Sequence, residues 1–120
     1  MWRKPPRPDE ALRYLTAAAA LRPKSAGAHY NLGMALLEKG SLDEAIAAFR
    51  RAIRCQEDFA SAHNNLGNAL RQRGLRDQAM TAFDAALRHN PDHPFARFNR
   101  GLVFADQGRY DDAIRAYREA

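Results

Sequence analysis

Residues 31–52 read NLGMALLEKGSLDEAIAAFRRA, and related segments follow at residues 65–86 and 99–120. Five positions keep the same type of residue at intervals of 34 residues along the chain. They are Gly33, Gly67 and Gly101; Gly40, Gly74 and Gly108; Ala45, Ala79 and Ala113; Phe49, Phe83 and Tyr117; and Ala52, Ala86 and Ala120. A fixed period of this length indicates an array of repeated supersecondary units.

Each unit has the pattern of two helices joined by a tight turn. Apolar residues recur at helical spacing over residues 28–37 and 62–70, without a β-branched run that would favour a strand. Gly40 is expected to end the first helix, because glycine readily adopts the left-handed conformation found there. Ser41 and Glu44 have the spacing of a capping box that begins the second helix. The pattern therefore predicts an all-α chain.

The period and its small and aromatic residues resemble those of the tetratricopeptide repeat (TPR) family. The family's unit contains a Leu-Gly pair, matched here at Leu32-Gly33 and Leu66-Gly67, and a terminal proline, matched at Pro91. The resemblance covers about residues 9 to 120. It implies a right-handed superhelical solenoid of antiparallel helix pairs, with the first helix of each pair on the concave face.

The same register divides the chain into five parts. Residues 1–8 form a basic, proline-rich tail, and residues 9–25 copy the second-helix pattern without a first helix. Residues 26–59, 60–93 and 94–120 are three repeats, the last of them truncated in its second helix. We therefore expect about seven helices. Both ends of the array lack a capping helix, which predicts self-association or a place within a longer protein.

Composition narrows the functional classes. The net charge is +5, and the chain contains 16 arginines. Because they are spread over the whole chain rather than clustered in one run, binding to nucleic acid is not the favoured interpretation. We find no apolar run long enough to span a membrane and no secretory signal, which predicts a cytoplasmic protein. The sequence shows no catalytic triad, phosphate loop or metal-ligand spacing. We expect neither an enzyme nor a cofactor.

The candidate binding residues lie on the predicted first helices. A stripe with helical spacing runs along each of them, apolar in the first and third repeats and polar in the second. We expect it to contact ligand through Tyr30 and Met34, then Asn64, Asn68 and Arg71, then Phe95, Phe98 and Leu102. Exposed apolar clusters of this kind are typical of binding sites or of surfaces that a neighbour covers.

A column of asparagines runs beside this stripe. Asn31, Asn65 and Asn99 occur once per repeat. An amide both donates and accepts hydrogen bonds, so a regular row of amides can pair with the backbone of an extended peptide. Some TPR arrays, including those of O-linked N-acetylglucosamine transferases, use an asparagine ladder in this way. The alternative is that asparagine is merely common at this position in the family.

Four further residues have simpler interpretations. His29 and His63 occupy a position where the family often has tryptophan, and we expect them to pack against a neighbouring helix rather than to bind metal. Cys55 occupies a usually apolar position and is expected to be a buried thiol. Arg100 replaces the leucine of the first two repeats, which would loosen the third repeat or mark a surface used elsewhere.

Three functions remain open from the sequence. The favoured one is a protein-interaction module that binds an extended peptide or partner segment in the concave groove, as part of a larger protein. The second is a basic helical array that binds nucleic acid, although Arg50, Arg51, Arg54 and Arg88 lie on second helices, away from that groove. The third is a scaffold that assembles with its own copies.

Overall fold

A computed structural model describes residues 7–119, apart from the side chain of Pro8. The described residues form seven α-helices connected by short turns, which confirms the all-α prediction. The helices are α1 (Pro8–Leu21), α2 (Ala26–Lys39), α3 (Leu42–Cys55), α4 (Ala60–Gln72), α5 (Arg76–His89), α6 (Pro94–Asp106) and α7 (Tyr110–Glu119). Residues 1–6, which are most of the predicted N-terminal tail, lie outside the described residues, as does Ala120 of the last alanine column.

A glycine turn ends each first helix of a pair. Gly40, Gly74 and Gly108 have φ values of 84°, 88° and 75°, in the left-handed region that residues with a side chain rarely adopt. The turn closes with a hydrogen bond from Ser41 N–H to the carbonyl of Leu36 at 2.9 Å, and the two later turns repeat it. This bond satisfies a helix-end carbonyl and reverses the chain, so consecutive helices pack antiparallel.

The predicted capping box at Ser41 is wrong. The Ser41 side chain makes no cap hydrogen bond, and its ψ of 73° departs from the extended geometry that such a cap needs. The glycine turn also takes the Ser41 N–H, which is the donor that the Glu44 side chain would need to complete the box. Ser25 is a true cap instead, since its Oγ accepts a hydrogen bond from Ala28 N–H at 3.1 Å at the beginning of α2.

Each helix pair packs glycine against an aromatic ring. Phe49 and Phe83 are 0% exposed. A Cβ at Gly33 would lie 2.7 Å from the Phe49 ring, and a Cβ at Gly67 would lie 2.5 Å from the Phe83 ring. Only glycine therefore allows α2 to approach α3, and α4 to approach α5, this closely.

The array curves toward its first helices. Within the described residues the Cα atoms of α4 come within 8 Å of those of both α2 and α6. The Cα atoms of α3 stay farther than 8 Å from those of α1 and α5, and the same holds between α5 and α7. First helices thus lie closer together than second helices do. The first helices α2, α4 and α6 consequently form the inner face, and α1, α3, α5 and α7 form the outer face. No described helix is long and apolar enough to cross a bilayer.

Candidate functional site

Three asparagines of the inner face form hydrogen bonds that connect neighbouring repeats. Asn65 Nδ2 donates to the hydroxyl of Tyr30 at 3.0 Å, and Asn99 Nδ2 donates to Asn64 Oδ1 at 3.0 Å. Asn64 Nδ2 in turn lies 3.5 Å from Asn65 Oδ1. This amide chain connects α2, α4 and α6. Its members therefore stabilise the contact between repeats, whatever else they bind.

The amides of the inner face differ in how much capacity they keep for a ligand. Asn64 and Asn99 are only 5% and 9% exposed. Asn65 is partly exposed, and one of its two N–H groups has no partner among the described residues. Asn31 is exposed, and its side chain makes no hydrogen bond to the described residues. Asn31 and Asn65 are thus the amides best placed to reach a ligand.

The apolar positions of the stripe divide into packed and exposed side chains. The Tyr30 ring lies 4.8 Å from that of Phe59 and 6.1 Å from that of Phe49, so most of it belongs to the core. Met34, Phe95 and Phe98 are 39%, 63% and 46% exposed. These three residues are the large apolar groups that the first helices leave open to solvent.

The polar centre of the stripe contains an ion pair that the sequence did not suggest. Arg71 Nε lies 2.7 Å from Asp106 Oδ2, and a second nitrogen donates to Oδ1 at 3.2 Å. The pair connects α4 with α6 and leaves the two side chains 28% and 30% exposed. Asn68, on the same helix as Arg71, and Leu102 are partly exposed. The guanidinium of Arg71 is therefore already neutralised within the array.

A histidine connects each of the first helices α2 and α4 to the turn before it. His29 Nε2 lies 2.8 Å from the carbonyl oxygen of Pro23, and His63 Nε2 lies 2.8 Å from that of Glu57. The repeat of this bond explains why the two histidines occur 34 residues apart. His63 also stacks on His89 with ring centroids 5.4 Å apart. Residues 7–119 contain no group of three or more side chains suited to a metal ion.

The prediction that Cys55 is a buried thiol is wrong, because the residue is exposed. Cys55 is the last residue of α3 and borders the gap between α1 and α3, where its thiol lies 3.7 Å from the carbonyl oxygen of Pro23. The Arg100 side chain lies against neighbouring residues of the array. Its Nε lies 3.0 Å from Asp84 Oδ1 without forming an aligned hydrogen bond, and its guanidinium lies 5.6 Å from the Phe104 ring.

A third histidine caps α6, a role that its sequence position did not indicate. The Nδ1 of His93 accepts hydrogen bonds from Phe95 N–H at 3.3 Å and Ala96 N–H at 3.2 Å. Only a neutral ring can accept them. The ring is 7% exposed, and desolvation by burial lowers the pKa of His93 below its ordinary value of 6.5.

Stability is therefore expected to fall as the pH drops below 6.5, because the unfolded chain then binds a proton that folded His93 resists. The contribution of His93 is complete above the unfolded pKa and is lost as the pH falls through the folded pKa. Melting temperatures at about pH 7.5 and about pH 5.5 measure the loss. His93→Asn is the control, since asparagine caps helices without titrating. An equal loss in both proteins would exclude this role for His93.

Known proteins share this architecture. The sequence profile of the tetratricopeptide repeat family matches residues 7–62 and 64–120. A crystal structure of MamA superposes with a TM-score of 0.86 at 28% identity, covering 93% of this chain and 66% of that one. A thermophilic TPR protein of Thermus thermophilus superposes with a TM-score of 0.84 at 25% identity, covering 94% and 63%.

This chain belongs to the tetratricopeptide repeat family, whose arrays are general protein–protein interaction scaffolds and are typically not catalytic. It spans about two thirds of the length of the solved structures it matches. The comparison with curated sequences finds no match.

Proposed function

We propose that this chain binds an extended segment of a partner protein along the inner face formed by α2, α4 and α6. The observation that carries the proposal is the exposure of three large apolar side chains on these helices, Met34, Phe95 and Phe98. Burying an exposed apolar side chain contributes about 1.5–3 kcal/mol when it is fully covered. An occupant is thus the simplest way to remove this surface from water.

The amides beside these residues suit an extended occupant. The Asn31 residue is exposed, and one N–H of Asn65 is free of partners within the part of the chain that the structure describes. Each can pair with a peptide group, which supplies direction and register along the face. The buried amides of Asn64 and Asn99 act behind them, because their bond stiffens the face between α4 and α6. Preformed geometry of this kind lowers the entropic cost of binding.

Peptides selected from a random library on the wild-type chain test this function. Met34→Ala combined with Phe95→Ala is expected to weaken such peptides at least about tenfold, which corresponds to about 1.4 kcal/mol. Both side chains are exposed, so the fold is expected to tolerate the change. Fluorescence anisotropy gives the dissociation constants.

A control variant truncates two partly exposed apolar side chains elsewhere. Leu75 and Ile114 are 39% and 48% exposed and lie outside the inner-face stripe. Leu75→Ala combined with Ile114→Ala should leave peptide affinity unchanged. If the peptides bind the Met34 and Phe95 variant as tightly as the wild type but bind the Leu75 and Ile114 variant less tightly, binding takes place on another surface.

A second copy of the chain is the other candidate occupant. Tyr14 and Leu21 on α1 are 76% and 83% exposed, and they line a groove of about 510 Å³ with Gly27 and Asn31 of α2. Sedimentation velocity distinguishes the two occupants. Association at micromolar concentration that Tyr14→Lys abolishes would support a self-assembling scaffold, whereas a monomer at all concentrations leaves the groove to a partner protein.

A further inference from the structure

The outer face carries a groove that the proposed peptide site does not use. No Cα of α3 comes within 8 Å of a Cα of α5, so the two second helices stand apart with α4 beneath them. The gap between them encloses about 760 Å³. Its lining runs from Ala47 to Arg54 on α3 and from Gln78 to Arg88 on α5, which is about 11 Å and about 15 Å of helix.

The floor of this groove is apolar. Leu66 and Leu70 of α4 lie at its base, and Ala82 and Ala85 of α5 line one wall. Ile53 of α3 contributes to the opposite wall and is only partly buried. An apolar surface of this shape favours an occupant that presents aliphatic side chains along one side.

The rim of the groove is strongly basic. It contains Arg50, Arg51 and Arg54 of α3 and Arg88 of α5, and all four are exposed. Among the described side chains no carboxylate lies within 4.0 Å of these guanidinium groups, and no aspartate or glutamate lines the groove. Arg50 donates to Gln78 Oε1 at 3.1 Å, a neutral partner across the groove. None of the four arginines therefore forms an ion pair with a described carboxylate.

Helix stability accounts for only part of this charge. Arg54 and Arg88 lie in the last turns of α3 and α5, where a cation interacts favourably with the helix dipole. They are 34 residues apart and thus occupy equivalent positions on either side of the groove. Arg50 and Arg51 lie before the last turn of α3, and the dipole does not explain them. Arg51 and Arg54 also border the next groove, between α1 and α3.

We propose that the outer groove between α3 and α5 binds an acidic amphipathic helix of a partner protein. Aspartates and glutamates of that helix would pair with the four arginines, whose planar guanidinium groups match carboxylates. Its apolar side would cover the floor around Leu66 and Leu70. A nucleic acid fits the rim but not the floor, because a phosphate backbone has no aliphatic side to bury. This site lies on the opposite side of the array from the inner face, so the two can be occupied together.

Synthetic peptides test this site on the full chain. The probe is an amphipathic peptide of about 14 residues, with leucines on one helical side and glutamates on the other. Two comparison probes are also negatively charged but lack the apolar helical side. One is the same composition scrambled so that the leucines share no side, and the other is a short DNA duplex. We expect the amphipathic peptide to bind at least about tenfold more tightly than either.

Removing positive charge from the groove is the second test of the proposal. Arg54→Gln combined with Arg88→Gln is expected to weaken the amphipathic peptide at least about tenfold. Arg76→Gln combined with Arg118→Gln removes the same net charge at exposed residues outside this groove and should have little effect. Circular dichroism of both variants checks that the fold is unchanged.

Three outcomes would overturn the proposal. Equal binding of the scrambled peptide would show general charge attraction, and tighter binding of the DNA duplex would identify a nucleic-acid surface. Equal losses in the two arginine variants would place the peptide elsewhere. Self-association that disappears only in the variant at Arg54 and Arg88 would identify a second copy of this chain as the occupant instead.

Discussion

Replacement of Phe49 by alanine is expected to lower the free energy of unfolding by about 3–5 kcal/mol. The ring is 0% exposed and packs directly on Gly33, so its removal leaves a cavity between α2 and α3. The total stability of a domain is about 5–15 kcal/mol, so this single change removes a large share. Urea unfolding followed by circular dichroism measures the difference.

An exposed phenylalanine is the control for this change. Phe95 is 63% exposed at the beginning of α6, and Phe95→Ala removes the same ring from a site with little surrounding contact. Its effect should stay near about 0.5 kcal/mol, as for other surface substitutions. Comparable losses for the two alanine variants would contradict the assignment of Phe49 to the core. Because neighbouring repeats stabilise one another, Phe49→Ala should also broaden the transition.

Replacement of Gly67 by alanine is expected to destabilise the protein, although alanine is the better helix former. In an open helix the change would gain about 1 kcal/mol. Here the new Cβ would lie 2.5, 2.7 and 2.8 Å from three atoms of the Phe83 ring, which is itself fully buried. Overpacking of this kind costs about 1–3 kcal/mol and sometimes more, so the net effect is a loss. Thermal unfolding measures it.

Gly27→Ala is the matched control on another first helix. The nearest atom to its new Cβ would be Ser25 Oγ at 4.0 Å, so nothing opposes the gain in helix propensity. We expect a small rise in melting temperature. The double variant Gly67→Ala with Phe83→Leu should recover part of the loss, since leucine can move away from the added methyl. A rise in stability for Gly67→Ala alone would show that the Phe83 ring has room to shift.

The repeat period predicted the helices because each unit is a local structure. The glycines at positions 40, 74 and 108 end helices through their own backbone conformation, and Gly33 and Phe49 meet within a single pair. These contacts depend on residues less than 20 positions apart and on ordinary helix geometry. Their outcome could therefore be derived from spacing alone. The capping box failed for a local reason too, since the glycine turn takes the Ser41 N–H that the Glu44 side chain would need.

The candidate site was predicted as a set of positions but not as a set of contacts. The sequence placed Asn65 and Asn99 in one column, yet it did not reveal that they donate to Tyr30 and Asn64. Arg71 was expected to be free for a ligand, whereas it pairs with Asp106. All three contacts join residues 35 positions apart, one more than the repeat period. A search for polar pairs at that separation is the signal that could have found them.

The sequence by itself determined that this protein is a row of helix pairs with small and aromatic residues at their crossings. Its period, glycine turns and apolar spacing act within each pair, where helix geometry leaves little choice. The tertiary structure alone decided which amides face one another, that Cys55 is exposed, and that four arginines border a single apolar groove. These features depend on the angle at which one repeat packs on the next. That angle results from the summed packing of many side chains, and no single spacing in the sequence encodes it.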